Sequence, residues 1–169
     1  MNVNSERKYI DKYLEYTADL LSDDLVKGMD KYHHHKETTT HYHSLYVSYS
    51  VLKMADRLKL ENAREITRAA LLHDFYLYEW YTEKHEEYHI YYHPKMSVKN
   101  IENHFGSLSP VQKNMILSHM FPMGIELPKS KGAWLLTLAD KRCASEDYLH
   151  TSKRFSPVYN EINRRIGNL

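Results

Sequence analysis

Ala69-Ala70-Leu71-Leu72-His73-Asp74 is the stretch whose reading decides the fold. Ile66, Ala69 and Ala70 recur at the spacing of a buried helical stripe, and the next turn of that same face is His73 and Asp74. An apolar stripe that ends in an imidazole beside a carboxylate aims polar, chargeable groups at a core. A charge there needs a partner or it neutralises. A metal cation is one such partner, since neutral His and ionised Asp are both ligands. A simple buried His–Asp hydrogen bond is the other. What decides between them is whether other helices carry the same signal.

Several do. A helix from near His41 or His43 to about Leu58 presents Val47, Val51, Ala55 and Leu58 inward, and His43 lies on that face at its entrance, while His41 points elsewhere. His93-Pro94 opens a further helix, with Pro at the first helical position and Val98, Ile101 and Phe105 on the apolar side. Ser109-Pro110-Val111-Gln112 reads as a capping box for a helix carrying Val111, Met115 and Ile116, whose next stripe position is His119. From about Lys131, Ala133, Leu136, Asp140 and Cys143 share one side, so Asp140 again stands where an apolar residue belongs.

The remaining chain is helical by the same test. Ser5 is placed to cap a first helix with the stripe Ile10, Leu14, Thr17 and Leu21. Ser22-Asp23-Asp24 starts a short helix carrying Leu25, Val26 and Met29, and Ser156-Pro157 starts a last one with Val158, Ile162 and Ile166. No stretch alternates as a strand, so the expected fold is all-α, about seven to eight helices around one core, with no sheet larger than a hairpin. Two stretches break the pattern. His33-His34-His35 followed by Lys36-Glu37-Thr38 reads as a polar surface loop. Residues 75–92 hold Phe75, Tyr76, Tyr78, Trp80, Tyr81, Tyr88, Tyr91 and Tyr92, with His85 and His89 among them. They read as an ordered loop packed by its own rings, either a lid or a satellite core.

Composition excludes several function classes. The chain has 169 residues, one domain's length, and 23 Lys+Arg against 22 Asp+Glu, so bulk charge gives no support for nucleic-acid binding. The lone Cys143 excludes a disulfide framework or a thiolate zinc site and fits a reducing, cytoplasmic setting. No apolar run is long enough to span a membrane, and the N-terminus lacks the apolar core of a signal peptide. Two composition features stand out, 12 His and 15 Tyr.

His43…His73-Asp74…Asp140 resembles the spaced signature of the HD superfamily of metal-dependent phosphohydrolases, over roughly residues 30–150. His93-Pro94 and His119-Met120 resemble the family's H…HD…H…H…D variant, which holds two metals. The resemblance implies an HD-domain helical bundle over residues 1–169, the motif core about 30–150, with helices in 5–30 and 157–167 packing on it. It implies one metal on His43, His73, Asp74 and Asp140, and a second on His93, His119 and a bridging Asp74. Metal–ligand distances would be ~2.0–2.3 Å and the ions ~3.5–4 Å apart. The ligand set suits Fe, Mn, Zn, Co or Ni without choosing among them, and one or two ions are expected.

The implied activity is hydrolysis of a nucleotide or other small phosphate ester by a metal-activated water. Asp74 and Asp140 would hold metal and orient that water. The chain departs from the family at Phe75-Tyr76-Leu77, where many members have Ile-Gly-Lys, so the phosphate-facing Lys is missing at Leu77. Lys95 and Lys141 are the candidate catalytic cations, and Lys95, Lys141, Arg142 and His89 the candidate substrate-binding residues. Two alternatives stay open: a diiron oxygenase of the inositol-oxygenase-like type, and a non-catalytic metal- or nucleotide-binding sensor.

Overall fold

The computed structural model describes residues 3–35, 38–85, 87–149 and 151–168. Among them are eight α-helices and one two-stranded antiparallel hairpin. The helices are α1 (Val3–Leu21), α2 (Asp24–Gly28), α3 (Thr40–Arg57), α4 (Ala63–Leu71), α5 (His89–Phe105), α6 (Pro110–Ser118), α7 (Lys131–Tyr148) and α8 (Ser156–Ile166). The strands are β1 (His33–His35) and β2 (Thr38–Thr39). The all-α class holds, and the hairpin is the only sheet among the described residues. No described helix is long and apolar enough to cross a membrane.

The core is organised around α3. Its Leu45, Val47, Val51, Leu52 and Ala55 are fully buried, and Tyr46 and Tyr49 nearly so. A helix apolar on more than one side is a central helix, and α3 packs against α4 on one side and α7 on another. α1 packs on α4 and α8, and α6 bridges α4 and α7. The Thr39 hydroxyl caps α3 by accepting from Tyr42 N–H at 3.2 Å, which fixes where the helix starts and hence where His43 points.

Several local expectations change. Leu58 follows the end of α3 and is exposed, as are Leu25 and Val111. α4 stops at Leu71, so His73 and Asp74 lie in the turn just beyond it. α5 begins at His89, one turn earlier than expected, which puts His93 in its second turn and Pro94 inside the helix. Pro94 has no N–H to offer the carbonyl of Ile90, a defect a helix tolerates at a cost. The α6 capping box is present, with Ser109 accepting from Gln112 N–H and Gln112 accepting from Ser109 N–H. Ser156 is the first residue of α8 and its hydroxyl makes no cap. α1 has begun by Val3, and the side chain of Ser5, like Lys36 and Glu37 beyond β1, lies outside the described residues.

The aromatic stretch is an irregular segment closed by ring contacts. Tyr78 sits 4.3 Å from His85 and 4.8 Å from Tyr76 by ring centroid, and Trp80 stacks on His89 at 4.7 Å.

Candidate metal centre

Six separate segments deliver imidazoles and carboxylates to one buried volume. His43 comes from the first turn of α3, His73 and Asp74 from the turn after α4, and His93 from α5. His119 directly follows the last residue of α6, and Asp140 comes from the middle of α7. β1 adds His34. All six sequence-named ligand candidates are buried, His43 and His73 completely.

The helix ends explain how the rings are aimed. The last carbonyls of a helix lack intrahelical donors. His73 Nδ1 bonds the carbonyl of Ala70 at 2.8 Å, and His119 Nδ1 bonds that of Ile116 at 2.6 Å, three residues back in both cases. His93 Nδ1 bonds the carbonyl of His89 at 2.7 Å. A carbonyl only accepts, so each Nδ1 carries the proton, and a neutral ring then presents an unprotonated Nε2 inward. His43 is held differently: its Nδ1 lies 2.9 Å from Asp147 Oδ2 and its Nε2 3.1 Å from Asp140 Oδ1.

Asp74 divides the cluster. Its Oδ2 faces His73 Nε2 at 3.4 Å and His34 Nε2 at 3.2 Å. Its Oδ1 faces His93 Nε2 at 3.4 Å and His119 Nε2 at 3.6 Å. Asp140 Oδ1 joins the first side, 3.1 Å from His43 Nε2 and 3.6 Å from His73 Nε2.

The geometry leaves lone pairs at the cluster that a cation could take up. His93 and His119 Nε2 are 2.8 Å apart. Burial pushes His93 down to about 4, against the pull of Asp74, and burial with its neighbouring histidines pushes His119 to about 3. Both rings are therefore neutral near pH 7 and hold one proton each, on Nδ1. Two lone pairs then confront each other at hydrogen-bonding distance. Asp74 Oδ1 and His73 Nε2 are moreover buried without a hydrogen-bond partner, and each orphaned group costs roughly 1–3 kcal/mol. A divalent cation satisfies lone pairs and carboxylate together, so the residues fit such an ion. His73 with His43 and Asp140, and His73 with Asp74 and His119, each offer three ligand atoms within 4.8 Å of one another.

The carboxylates carry the negative charge this requires. Burial works against ionised Asp74 and Asp140, yet the surrounding imidazoles outweigh it and hold both well below the usual carboxylate range. His43 is buried too, but Asp140 and Asp147 raise it to about 10.

The cluster opens on a cavity of about 570 Å³. Asp74, His93, His119 and Asp140 reach its floor, and Trp80, Met120, Met123 and Tyr148 supply apolar wall. Lys141 is the only Lys or Arg among the described residues lining it; its Nζ donates to the carbonyl of His119 at 2.9 Å, and burial lowers its pKa. His89 also lines the cavity, held by Tyr78 and Trp80. Lys95 and Arg142 are not brought here. Lys95 pairs with Glu87 beside a separate groove, and Arg142 pairs with Glu146 over another cleft. At Leu77, where the missing cation would stand, the side chain packs partly against the core with a φ of 58°.

Sequence reading missed two members of the cluster. Asp147 continues the stripe Asp140, Cys143 on α7, and that spacing is the signal that would have found it. His34 has no helical signal at all, because it lies on the hairpin.

The HD-domain family model matches residues 40–145 of the chain. No curated protein matches it, and no solved structure does.

Proposed function

This chain belongs to the HD-domain family, and on that premise we propose that it hydrolyses a small phosphate ester at the His/Asp cluster, with a nucleotide as the leading substrate class. The whole chain acts in this reading as one HD unit, α1, α2 and α8 packing on its core. The observation that carries the proposal is Asp74: its two oxygens each face a different pair of imidazoles, the disposition a bridging carboxylate needs.

His43, His73, Asp74 and Asp140 would hold one ion, and Asp74, His93 and His119 a second. Bound there, divalent ions supply Lewis acidity that lowers the pKa of a water and offsets charge on phosphate oxygens. The protein's own groups do the rest. The three Nδ1–carbonyl bonds lock the rings so that no reorientation is needed on binding. Asp147 fixes His43 from behind in the same way. Asp140 lies at both the cluster and the cavity and orients the attacking water toward phosphorus. As the new P–O bond forms and the ester P–O bond breaks, Lys141 offsets charge on the phosphoryl oxygens, the task for which Leu77 offers no cation. Trp80, Met120 and Tyr148 form an apolar wall suited to the flat body of a nucleoside.

The test is metal analysis of the purified protein followed by a screen of phosphate esters and nucleotides for phosphate release. Bound transition metal with metal-dependent release supports the reading. Bound iron with oxygen consumption and no phosphate release replaces it with the oxygenase alternative, and nucleotide binding without turnover replaces it with the sensor.

A further inference from the structure

β1 and β2 pair as His33 opposite Thr39 and His35 opposite Thr38, so two residues of β1 advance for one of β2. This irregularity falls at His34. A bulge re-aims the side chain it carries, and here the two neighbouring histidines face opposite ways. His33 faces out: its N–H donates to Glu79 Oε2 at 3.2 Å, its Nδ1 lies 3.0 Å from the same oxygen, and its carbonyl accepts from Trp80 Nε1 at 3.1 Å. His34 faces in, its side chain only 12% exposed. Its ring stacks on His43 with centroids 3.6 Å apart and planes within 15°.

Its Nε2 stands 3.2 Å from Asp74 Oδ2, closer than His73, His93 or His119 stands to either oxygen of that carboxylate. His34 thus completes a pattern of two imidazoles per Asp74 oxygen: His93 and His119 on one, His73 and His34 on the other. It also shares with His43 and Asp147 a set of ligand atoms within 4.8 Å of one another. The residue lies outside the matched region 40–145, so the family match assigns it no role.

We propose that His34 is an additional metal ligand, delivered to the Asp74 Oδ2 side of the centre by the bulged hairpin and held there by the His33–Glu79–Trp80 latch. The inference rests on the reading of the cluster as a metal centre. It gives the triple-histidine stretch two tasks, latching through His33 and ligation through His34. It also makes the hairpin part of the site, because the aromatic segment that walls the cavity through Trp80 is the same segment that clasps β1.

The experiment titrates full-length protein with Co²⁺, following its ligand-field absorption and the number and affinity of ions bound, in wild type, His34→Ala and His34→Gln. Far-UV circular dichroism checks the helices, which the hairpin residue does not help to form. Gln retains an N–H able to reach Asp74 but is a poor metal ligand, so it separates ligation from mere support of the carboxylate. The expected result is that both variants keep their helices, bind one ion at least about 10-fold more weakly and show an altered Co²⁺ spectrum. A Gln variant with wild-type affinity and spectrum overturns the proposal in favour of a positioning role, and any unchanged spectrum overturns it as well. Wild type that takes up no Co²⁺ would bring down the metal-centre reading itself; wild type that binds while the His34 variants match it brings down this inference alone.

Discussion

His93 Nε2 and His119 Nε2 face each other at 2.8 Å while both rings spend their one proton on a backbone carbonyl behind them. The contact is repulsive in the metal-free protein and favourable only with a positive charge between or beside the two nitrogens. With Asp74 Oδ1 facing the same two nitrogens, this side of the cluster has the donor set to hold a cation.

His119→Ala is expected to leave one ion per chain, held by His43, His73, Asp74 and Asp140, and to cut hydrolysis because one source of positive charge opposite the phosphate is gone. Counting metal per chain in wild type and variant checks this. Equal stoichiometry near one in both would retire the two-ion arrangement and leave a mononuclear one.

Asp74→Asn keeps the volume of a nearly fully buried side chain but removes the charge that both sides share. Metal content is predicted to fall below one ion per chain and hydrolysis to be lost, with the helical signal retained. Full loading of one site in this variant would mean that Asp74 does not bridge.

The helices and their inward His and Asp residues were legible because a 3.6-residue stripe makes a polar substitution conspicuous. Asp140 on α7 stood out against Ala133, Leu136 and Cys143 for this reason, and Asp147 continues that stripe two turns beyond Asp140. His73 and His119 were found although each lies just past its helix, since the turn after the last residue continues the same face. The early start of α5 was hidden because Pro94 mimics a first-turn proline, while the packing of Tyr78 and Trp80 on His89 holds one more turn in place. His34 was illegible in principle: its direction is set by a bulge and by a latch to Glu79 and Trp80, 46 and 47 residues away from His33. Likewise the absence of Lys95 and Arg142 from the cavity follows from which acid each finds nearby, Glu87 and Glu146, and a stripe does not encode that.

Gly132→Ala is expected to destabilise the fold. A Cβ there would lie 2.9 Å from Ile66 Cγ1 and 3.1 Å from Met115 Sδ. Ala gains ~1 kcal/mol of helix propensity over Gly, against roughly 1–3 kcal/mol for overpacking. Ile66 is β-branched and helical, so its χ1 has little freedom to yield. The net is a loss of up to about 2 kcal/mol, which lowers Tm by up to roughly 8 °C. Because α4 leads into His73-Asp74 and α7 carries Asp140, metal affinity should fall as well. A raised Tm in thermal unfolding would contradict the tight contact.

Lys141→Met should lower kcat by about 10²-fold, the scale for removing one preorganised charge from a transition state, with metal content unchanged. Lys95→Met and Arg142→Met should leave turnover near wild type, since neither residue lines the cavity. A Lys141 variant that loses only metal would reassign its role to supporting the His119 carbonyl.

Metal uptake should expel protons, and His43 gives the sign. In the metal-free protein burial opposes its charge, but Asp140 and Asp147 raise its pKa to about 10, from an unfolded value near ~6.5. The stabilisation from that charged pair is therefore complete below ~6.5 and is lost as pH rises through about 10. An ion that takes Nε2 must displace this proton, whereas Nδ1–H stays on Asp147. His93 and His119, pushed to about 4 and about 3, are already neutral at pH 7 and release nothing. Apparent metal affinity should thus climb with pH up to about 10, and calorimetric titration at pH 7 in buffers of different ionisation enthalpy should register about one proton or more released per chain. Asp147→Asn removes one of the two carboxylates that hold the proton, so it should lower proton release at pH 7 while loosening the ring. Uptake without proton release in wild type would place the ion away from His43, on the His93–His119 side alone.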